Sequence, residues 1–540
     1  MLHLSYKSIT DKSGWKNAGI VLPEFDQAAM MARTKENPMW VHFGAGNIFR
    51  GFIAVLQQRL LDAGKAETGI VAVETYDFEI IDRMYAPYDN LSLLAVMNPD
   101  GSLENKVVAS IGEALEGDPS RKSDWDRLQE IFKKPSLQMA SFTITEKGYS
   151  LSGLSGEFFP EVAEDVAKGP AEPKNVISKI VSLAYTRFKC GELPIAFVSM
   201  DNCSKNGEKL HKAVMTIAEK WVQNTIVEEA FLTYLNNTEK VSFPWSMIDK
   251  ITPRPSNEVR NKLNELGFGD TDIVCTAKNT YIAPFVNAEG PQYLVVEDCF
   301  PNGRMPLELA GVYFTDRDTV NKVETMKVTT CLNPLHTALA IYGCLLGYDS
   351  IASEMKDPML KKLVEKLGYD EGMPVVVNPG IIDPAQFIKE VIEVRFANPY
   401  IPDTPQRIAM DTSQKLSVRY GETIKAYTRR ADLNPADLEY IPLVQAGWCR
   451  YMLGLDDNGR EMALSPDPLM GEMQAYLHGI KLGDISSAKG KLKPVLSNRK
   501  IFGCDLYSVG LGEKVEAYFE ELISGAGAVR ETLLKYLGWK

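Results

Sequence analysis

Trp40-Val-His-Phe-Gly44-Ala-Gly46-Asn-Ile-Phe-Arg50-Gly51 is the stretch on which the fold turns. Its first four residues read as a short buried strand, and the glycines after them permit a tight turn. An amphipathic helix is predicted over Phe52–Ala63 and a second strand over Gly69–Glu74. Strand, glycine turn, helix and strand in that order open a dinucleotide-binding sheet, with backbone amides facing a pyrophosphate at the helix start. The third glycine of the usual fingerprint is missing, since Phe49 holds its place. Arg50 follows and could set a cation near the phosphates. Gly44, Gly46, Asn47 and Arg50 are therefore candidate cofactor contacts. Glu74, ending the second strand, stands where an acid accepts hydrogen bonds from the adenosine ribose and repels a 2′-phosphate, which favours NAD over NADP. Asp77 is a rival for that role, and an ordinary solvated strand end is the alternative.

Outward from this unit, residues 1–37 form an extension with a helix near 25–33. Further strands are expected at 93–97, 106–110, 138–144 and 194–199, with helices such as 123–133 and 175–188 between them. That alternation implies a parallel, helix-covered sheet. Two polar segments close strands whose C-terminal ends face the ligand crevice in such a sheet. In Thr143-Ile-Thr-Glu146-Lys147-Gly148-Tyr149, Glu146 either lines the nicotinamide site or belongs to a turn. In Ser199-Met-Asp201-Asn202-Cys-Ser-Lys205-Asn206-Gly207, Asn202 either points an amide into the crevice or belongs to an Asx-rich turn. Beyond about residue 320 helical periodicity takes over, in 335–347, 357–367, 383–396, 404–416, 468–479 and 513–537, with Gly525-Ala-Gly-Ala as a weak interruption. The expected class is α/β: a Rossmann-type parallel-sheet domain over 1–318, then a mostly α-helical domain over 319–540.

Composition narrows the partners. A length of 540 residues with 45% hydrophobic content is too much for one ordinary domain, and a net charge of −12 is unsuited to nucleic acid. The eight cysteines show no paired spacing, as expected of reduced thiols in a cytoplasmic protein. No signal-like apolar core opens the chain, and no stretch is apolar enough for a bilayer, so a membrane role is not expected. Neither HExxH nor C-x-x-C occurs, so no metal site is expected.

Lys327-Val-Thr-Thr-Cys-Leu-Asn333-Pro-Leu-His336 carries a lysine, an amide and an imidazole within ten positions. Hydride transfer without a metal needs such groups, namely a proton shuttle, an amide to polarise a carbonyl and a donor for a hydroxyl. A capped core helix preceded by a solvated lysine is the plain alternative. In one unbroken helix Lys327 and His336 would lie about 180° apart at ~100° per residue. Asn333 as cap and Pro334 at the first helical position would start a new helix, and β-branched Val328-Thr-Thr would be extended or irregular. Lys327 is therefore expected on a non-helical or bulged turn. Arg407 and Lys415, eight residues apart, would share one helical face, where two cations suit an anionic substrate or bind hydroxyls; surface pairing with Asp403 and Asp411 is the alternative.

Taken together these segments resemble the mannitol dehydrogenase family, the polyol-specific long-chain dehydrogenases that include fructuronate and tagaturonate reductases. The likeness rests on HFGAGNIFRGF (42–52), TITEKGY (143–149), SMDNCSKNG (199–207), FPWSMIDKITP (243–253), VVEDCFPNGR (295–304), the Lys327–His336 segment and RFANPYIPDTPQRIAMDTSQK (395–415). The resemblance implies a zinc-independent, NAD(P)-dependent oxidoreductase. By position, Lys327 matches the family's acid/base, Asn202 and Asn333 the amides beside the reacting oxygen, and His336, Arg407 and Lys415 the substrate contacts. It departs from the motif in having five residues, not four, between lysine and asparagine, and Pro334 where glycine is usual. The leading expectation is reduction of a keto-uronate to an aldonate, as in fructuronate reductase; mannitol 2-dehydrogenase and tagaturonate reductase are alternatives. Lys205, Lys250, Arg254 and Arg419 are spare cations for a carboxylate. From another class, a non-catalytic NAD-binding scaffold is the competing reading.

Overall fold

Along the strand Trp40–Phe43, Val41 and Phe43 enter one apolar core while Trp40 enters another. The strand Ile70–Glu74 does the same, sending Val71 and Val73 one way and Ile70 and Ala72 the other. Side chains alternate faces along a strand, so two cores mean a sheet covered on both sides, the setting in which parallel sheets occur. Its strands are β1 (Trp40–Phe43), β2 (Ile70–Glu74), β3 (Ile111–Glu116), β4 (Met139–Phe142), β5 (Ile195–Ser199) and β6 (Val241–Ser242). All pair in parallel, in the spatial order β3-β2-β1-β4-β5-β6. The order reverses between β1 and β4, and the crevice outside the strand ends there is where a doubly wound sheet binds its ligand.

The structure is a computed structural model, and it describes residues 1–153 and 155–539. Two compact units emerge, Met1–Asn98 with Ser102–Asn321 and Pro99–Gly101 with Lys322–Lys540. The first is the Rossmann-type unit that the glycine turn implied, and the second is built from helices.

Several expected elements need correction. The strand expected at 93–97 is Ser92–Met97, and it lies outside the main sheet. It pairs antiparallel with Leu103–Val108 and parallel with Phe285–Glu289 in a separate sheet. The strand expected at 106–110 is really two, Leu103–Val108 and then β3, separated by Ala109 and Ser110. The helix expected over 404–416 is broken into Pro405–Ile408 and Thr412–Leu416, because Asp411 takes a left-handed φ of 54°. The last helix is divided where Gly525-Ala-Gly-Ala signalled an interruption, and more fully than a weak one, into Gly512–Leu522 and Ala528–Tyr536, with Gly527 at φ 81° between them. Among the described residues, no helix is long and apolar enough to cross a membrane.

Candidate active site

The glycine turn is built from several directions at once. Gly44 has φ 108°, and a Cβ there would lie 2.3 Å from the Thr143 carbonyl oxygen, so only glycine fits between β1 and β4. Gly46 is the opposite case, because a Cβ on it would meet nothing within 4 Å. The helical run 47–62 starts directly after Gly46, and the first amides of any helix have no acceptor of their own. An open side next to unspent amides is what an anionic pyrophosphate requires.

Glu74 is buried and already engaged. Its Oε1 accepts from the amides of Thr75 and Tyr76 at 2.9 Å and Asp77 at 3.3 Å, and its Oε2 from Ala45 at 3.0 Å. Burial raises its carboxyl pKa while these amides pull it back down. The acid thus ties the end of β2 to the glycine turn, and a ribose would share Oε2 with Ala45. Asp77 accepts from the Thr276 hydroxyl at 2.6 Å. Arg50 is fully buried in a π turn, Phe49–Ile53. It donates to the Ala283 carbonyl at 2.8 Å and to Asn47 Oδ1 at 3.0 Å. It orients Asn47 from below, and burial lowers its pKa.

The loops after β4 and β5 are held together by Asp201. Its carboxylate accepts from the amides of Ile144 (3.0 Å) and Thr145 (2.8 Å) and from Tyr149 OH (2.5 Å). Thr145 has φ 65°, a left-handed conformation that a β-branched residue rarely adopts. Asn206 holds the turn after β5 through the carbonyls of Ser199, Asp201 and Ser246. Asp201 and Asn206 both brace this turn, and Asn202 lies exposed between them. Glu146 is exposed and ion-paired with Lys209.

In the second unit, Lys327 is 3% exposed and opens a π turn, Lys327–Cys331, continuous with the helix Arg317–Met326. The Leu332 amide reaches back to the Lys327 carbonyl at 3.1 Å, closing a turn one residue wider than an α turn. The bulge is present, but Val328-Thr-Thr is helical rather than extended. Leu332 (φ −134°, ψ −63°) then ends one helix and precedes the next, Asn333–Leu346. Leu332, not Asn333, occupies the cap position, and Asn333 is the first residue of the helix proper. Its side-chain amide is not spent on capping.

His336, one turn further, is mostly buried. Burial, reinforced by Arg419, Arg407, Arg395 and Lys415, pushes its pKa down to about 3, so the ring is neutral at working pH. Asp403 Oδ2 lies 3.3 Å from Nε2, but not in hydrogen-bonding geometry, and the enclosed Nε2 is left without a bond. The neutral ring makes proximity, rather than a salt bridge, the right description of that pair. Asp403 instead accepts from Arg407, whose side chain is 58% exposed. Lys415 is half-buried and donates to the carbonyls of Ile408 and Met410. Burial and then the charge of Arg419 push its pKa down to about 8. The break at Asp411 removes the two-turn argument for Arg407 and Lys415, yet both still act on His336. Arg419 donates to the Thr337 hydroxyl and, at 3.5 Å, to the Asn333 carbonyl.

Residues 38–308 match the model of the mannitol dehydrogenase Rossmann domain, and residues 319–523 match that of the mannitol dehydrogenase C-terminal domain. The chain belongs to the mannitol dehydrogenase family. A D-mannonate oxidoreductase of Thermotoga maritima is 56% identical to it over 539 residues, 99% of either chain. Mannitol 2-dehydrogenase of Pseudomonas fluorescens, solved as a ternary complex with NAD and D-mannitol, matches with a TM-score of 0.68 at 26% identity, over 96% of this chain and 97% of that one. A D-sorbitol dehydrogenase in substrate-free form matches with a TM-score of 0.78 at 25% identity, over 95% and 97%. Within this mannitol dehydrogenase fold, the supporting residues Asp201 and Asp403 had no signal in the sequence beyond being acids near a motif. Their work shows only in the hydrogen bonds they accept.

Proposed function

We propose that this chain interconverts a keto-uronate and its aldonate, D-fructuronate and D-mannonate, in a zinc-independent reaction with NAD(H). The reading is carried by the 56% identity, over the full length, to a D-mannonate oxidoreductase. Gly44, Gly46 and Asn47 would hold the dinucleotide phosphates on the helix start, with Arg50 acting through Asn47. Glu74 would take the adenosine ribose through the free side of Oε2, which favours NAD over NADP. Glu146, already paired with Lys209, would add at most a surface contact. The eight cysteines, none of them in a disulfide, suit a reducing cytoplasm.

When bound, NADH supplies the hydride. The protein's own groups handle the oxygen that becomes negative. Lys327 gives that oxygen a proton in reduction and removes it in the reverse direction. Asn333 donates an N–H group to that oxygen, the role the family likeness also gives Asn202, and one such donor is worth about 3 kcal/mol, or roughly a hundredfold in rate. His336 is neutral at working pH, and its unused Nε2 serves a substrate hydroxyl. Arg407 and Lys415 complete the contacts to the sugar.

Spectrophotometric NADH oxidation with fructuronate, tagaturonate, fructose and fructose 6-phosphate as separate substrates tests this reading. Fructuronate is expected to give the highest kcat/KM. Preference for fructose or tagaturonate would reassign the substrate, and bound NADH with no turnover of any of the four would leave a scaffold.

A further inference from the structure

Arg419 carries a charge that the protein itself does not answer. It lies four residues after Lys415, where the helix Thr412–Leu416 runs into the π turn Ser417–Gly421. Only its Nη1 is tied down, by the Thr337 hydroxyl and the Asn333 carbonyl, both neutral. Among the described residues no carboxylate pairs with it. Asp403, the acid beside His336, is already taken by Arg407. Lys415 is in a similar position, resting on two main-chain carbonyls.

Withdrawing a cation from water without a counter-charge costs more than neutral acceptors return. The free edge of the guanidinium, Nε with Nη2, is the fork that meets both oxygens of a carboxylate at once. Its anchored corner grips the helical turn that carries Asn333 and His336. The other spare cations are employed elsewhere in the first unit. Lys250 donates to the Glu289 carbonyl, Arg254 stacks 4.8 Å from the Tyr281 ring and Lys205 lies 6.0 Å from that of Trp245.

We infer that Arg419, assisted by Lys415, receives the carboxylate of the substrate and so sets the preference for a sugar acid over a neutral polyol. This rests on the keto-uronate reading above. The ligand need not be turned over to test it, because D-mannonate and D-mannitol differ only in a carboxylate against a hydroxymethyl group.

Calorimetric titration of the full-length, NADH-loaded protein with each compound, a pairing of reduced cofactor and reduced sugar that cannot react, gives the preference directly. In Arg419→Gln, which keeps an N–H for Thr337 but loses charge and fork, the preference for mannonate over mannitol should fall about 10- to 100-fold, the loss expected for one charge-assisted pair. Arg419→Lys, with charge but no fork, should fall between. An unchanged preference in Arg419→Gln would overturn the inference, as would an equal loss of both ligands, which would mean that the arginine merely supports the Asn333 turn. Tighter binding of mannitol 1-phosphate than of mannonate to the wild type would overturn the carboxylate assignment. A wild type that neither prefers mannonate nor reduces fructuronate would remove the keto-uronate reading, and this inference with it.

Discussion

His42 and His336, one in each unit, are both largely buried and both neutral, yet their hydrogen bonding differs. His42, on β1, has Nδ1 2.6 Å from the Ser141 hydroxyl and Nε2 2.8 Å from that of Thr143, and its ring stacks on Phe49 at 4.5 Å. His336 packs against Phe396 at 5.0 Å and keeps an enclosed Nε2 without a bond. Burial pushes each pKa down to about 3. Titration behaviour therefore does not separate a structural imidazole from the one proposed to meet substrate; the unanswered hydrogen bond is what distinguishes His336. Arginines repeat the contrast. Arg187 donates to the carbonyls of Phe132, Lys134, Leu137 and Pro194, while Arg419 keeps an edge of its guanidinium free of protein.

That contrast is sharpest at Lys327, where function should go and the fold should stay. Lys327→Ala is expected to lower kcat by about 100- to 10,000-fold, the usual worth of a positioned acid/base. NADH affinity, followed by fluorescence, should hold. Normal turnover would dismiss the lysine as the proton donor.

The histidines themselves come next. His42→Ala takes one partner each from the Ser141 and Thr143 hydroxyls and leaves a cavity in the core, and should cost about 2–4 kcal/mol in a urea melt. His336→Ala should cost less than His42→Ala, since it opens a cavity beside Phe396 but breaks no hydrogen bond, and should raise KM for fructuronate roughly tenfold. If the two lose similar stability, the comparison fails.

The two glycines make a smaller pair. Gly44→Ala places its Cβ against Thr143 O in a left-handed backbone and should be destabilising by about 1–3 kcal/mol. Gly46→Ala should leave the melt unchanged and weaken NADH binding, because its Cβ would enter space the protein leaves empty. Unaltered NADH affinity would move the phosphates elsewhere.

The smallest effect is expected from pH. Lys415 faces Arg419 and Arg407, which lower its pKa, and Asp411 and Asp467, which raise it; with burial the balance is about 8. Below that pH the amine is charged and attracts an anion, and above it the attraction is lost. Mannonate affinity should decline as pH rises through about 8, and binding should take up protons, whereas Lys415→Met should flatten the profile. A wild-type profile that is level through this range would take Lys415 out of anion binding.

Legibility followed burial. β1, β2, β4 and β5 could be read because parallel strands covered on both faces are continuous apolar runs and a glycine turn marks the first of them. β3 was obscured by its own composition, Ile111-Gly-Glu-Ala-Leu-Glu116, which lacks a β-branched run, and by the hairpin strand Leu103–Val108 just before it. Nothing in the apolar run of Ser92–Met97 says which sheet it joins. In the second unit helices were visible, and the interruptions at Lys327 and Gly525 were signalled, but the one at Asp411 was not, since Asp411 is an ordinary-looking residue. Lys327, Asn333 and His336 could be named from their spacing and family likeness. That His336 lacks a partner, or that Asp201 restrains Thr145, depends on tertiary hydrogen bonds with no linear signature.

The wide turn at Lys327–Cys331 acts as a take-up loop for chain length. An inserted residue wound into it adds to the count between lysine and asparagine without throwing the following helix out of phase. Spacing in this motif can therefore drift by one while the angular setting of its amine and amide stays put, and a deletion of Val328 is better regarded as a change of winding than as the loss of a contact.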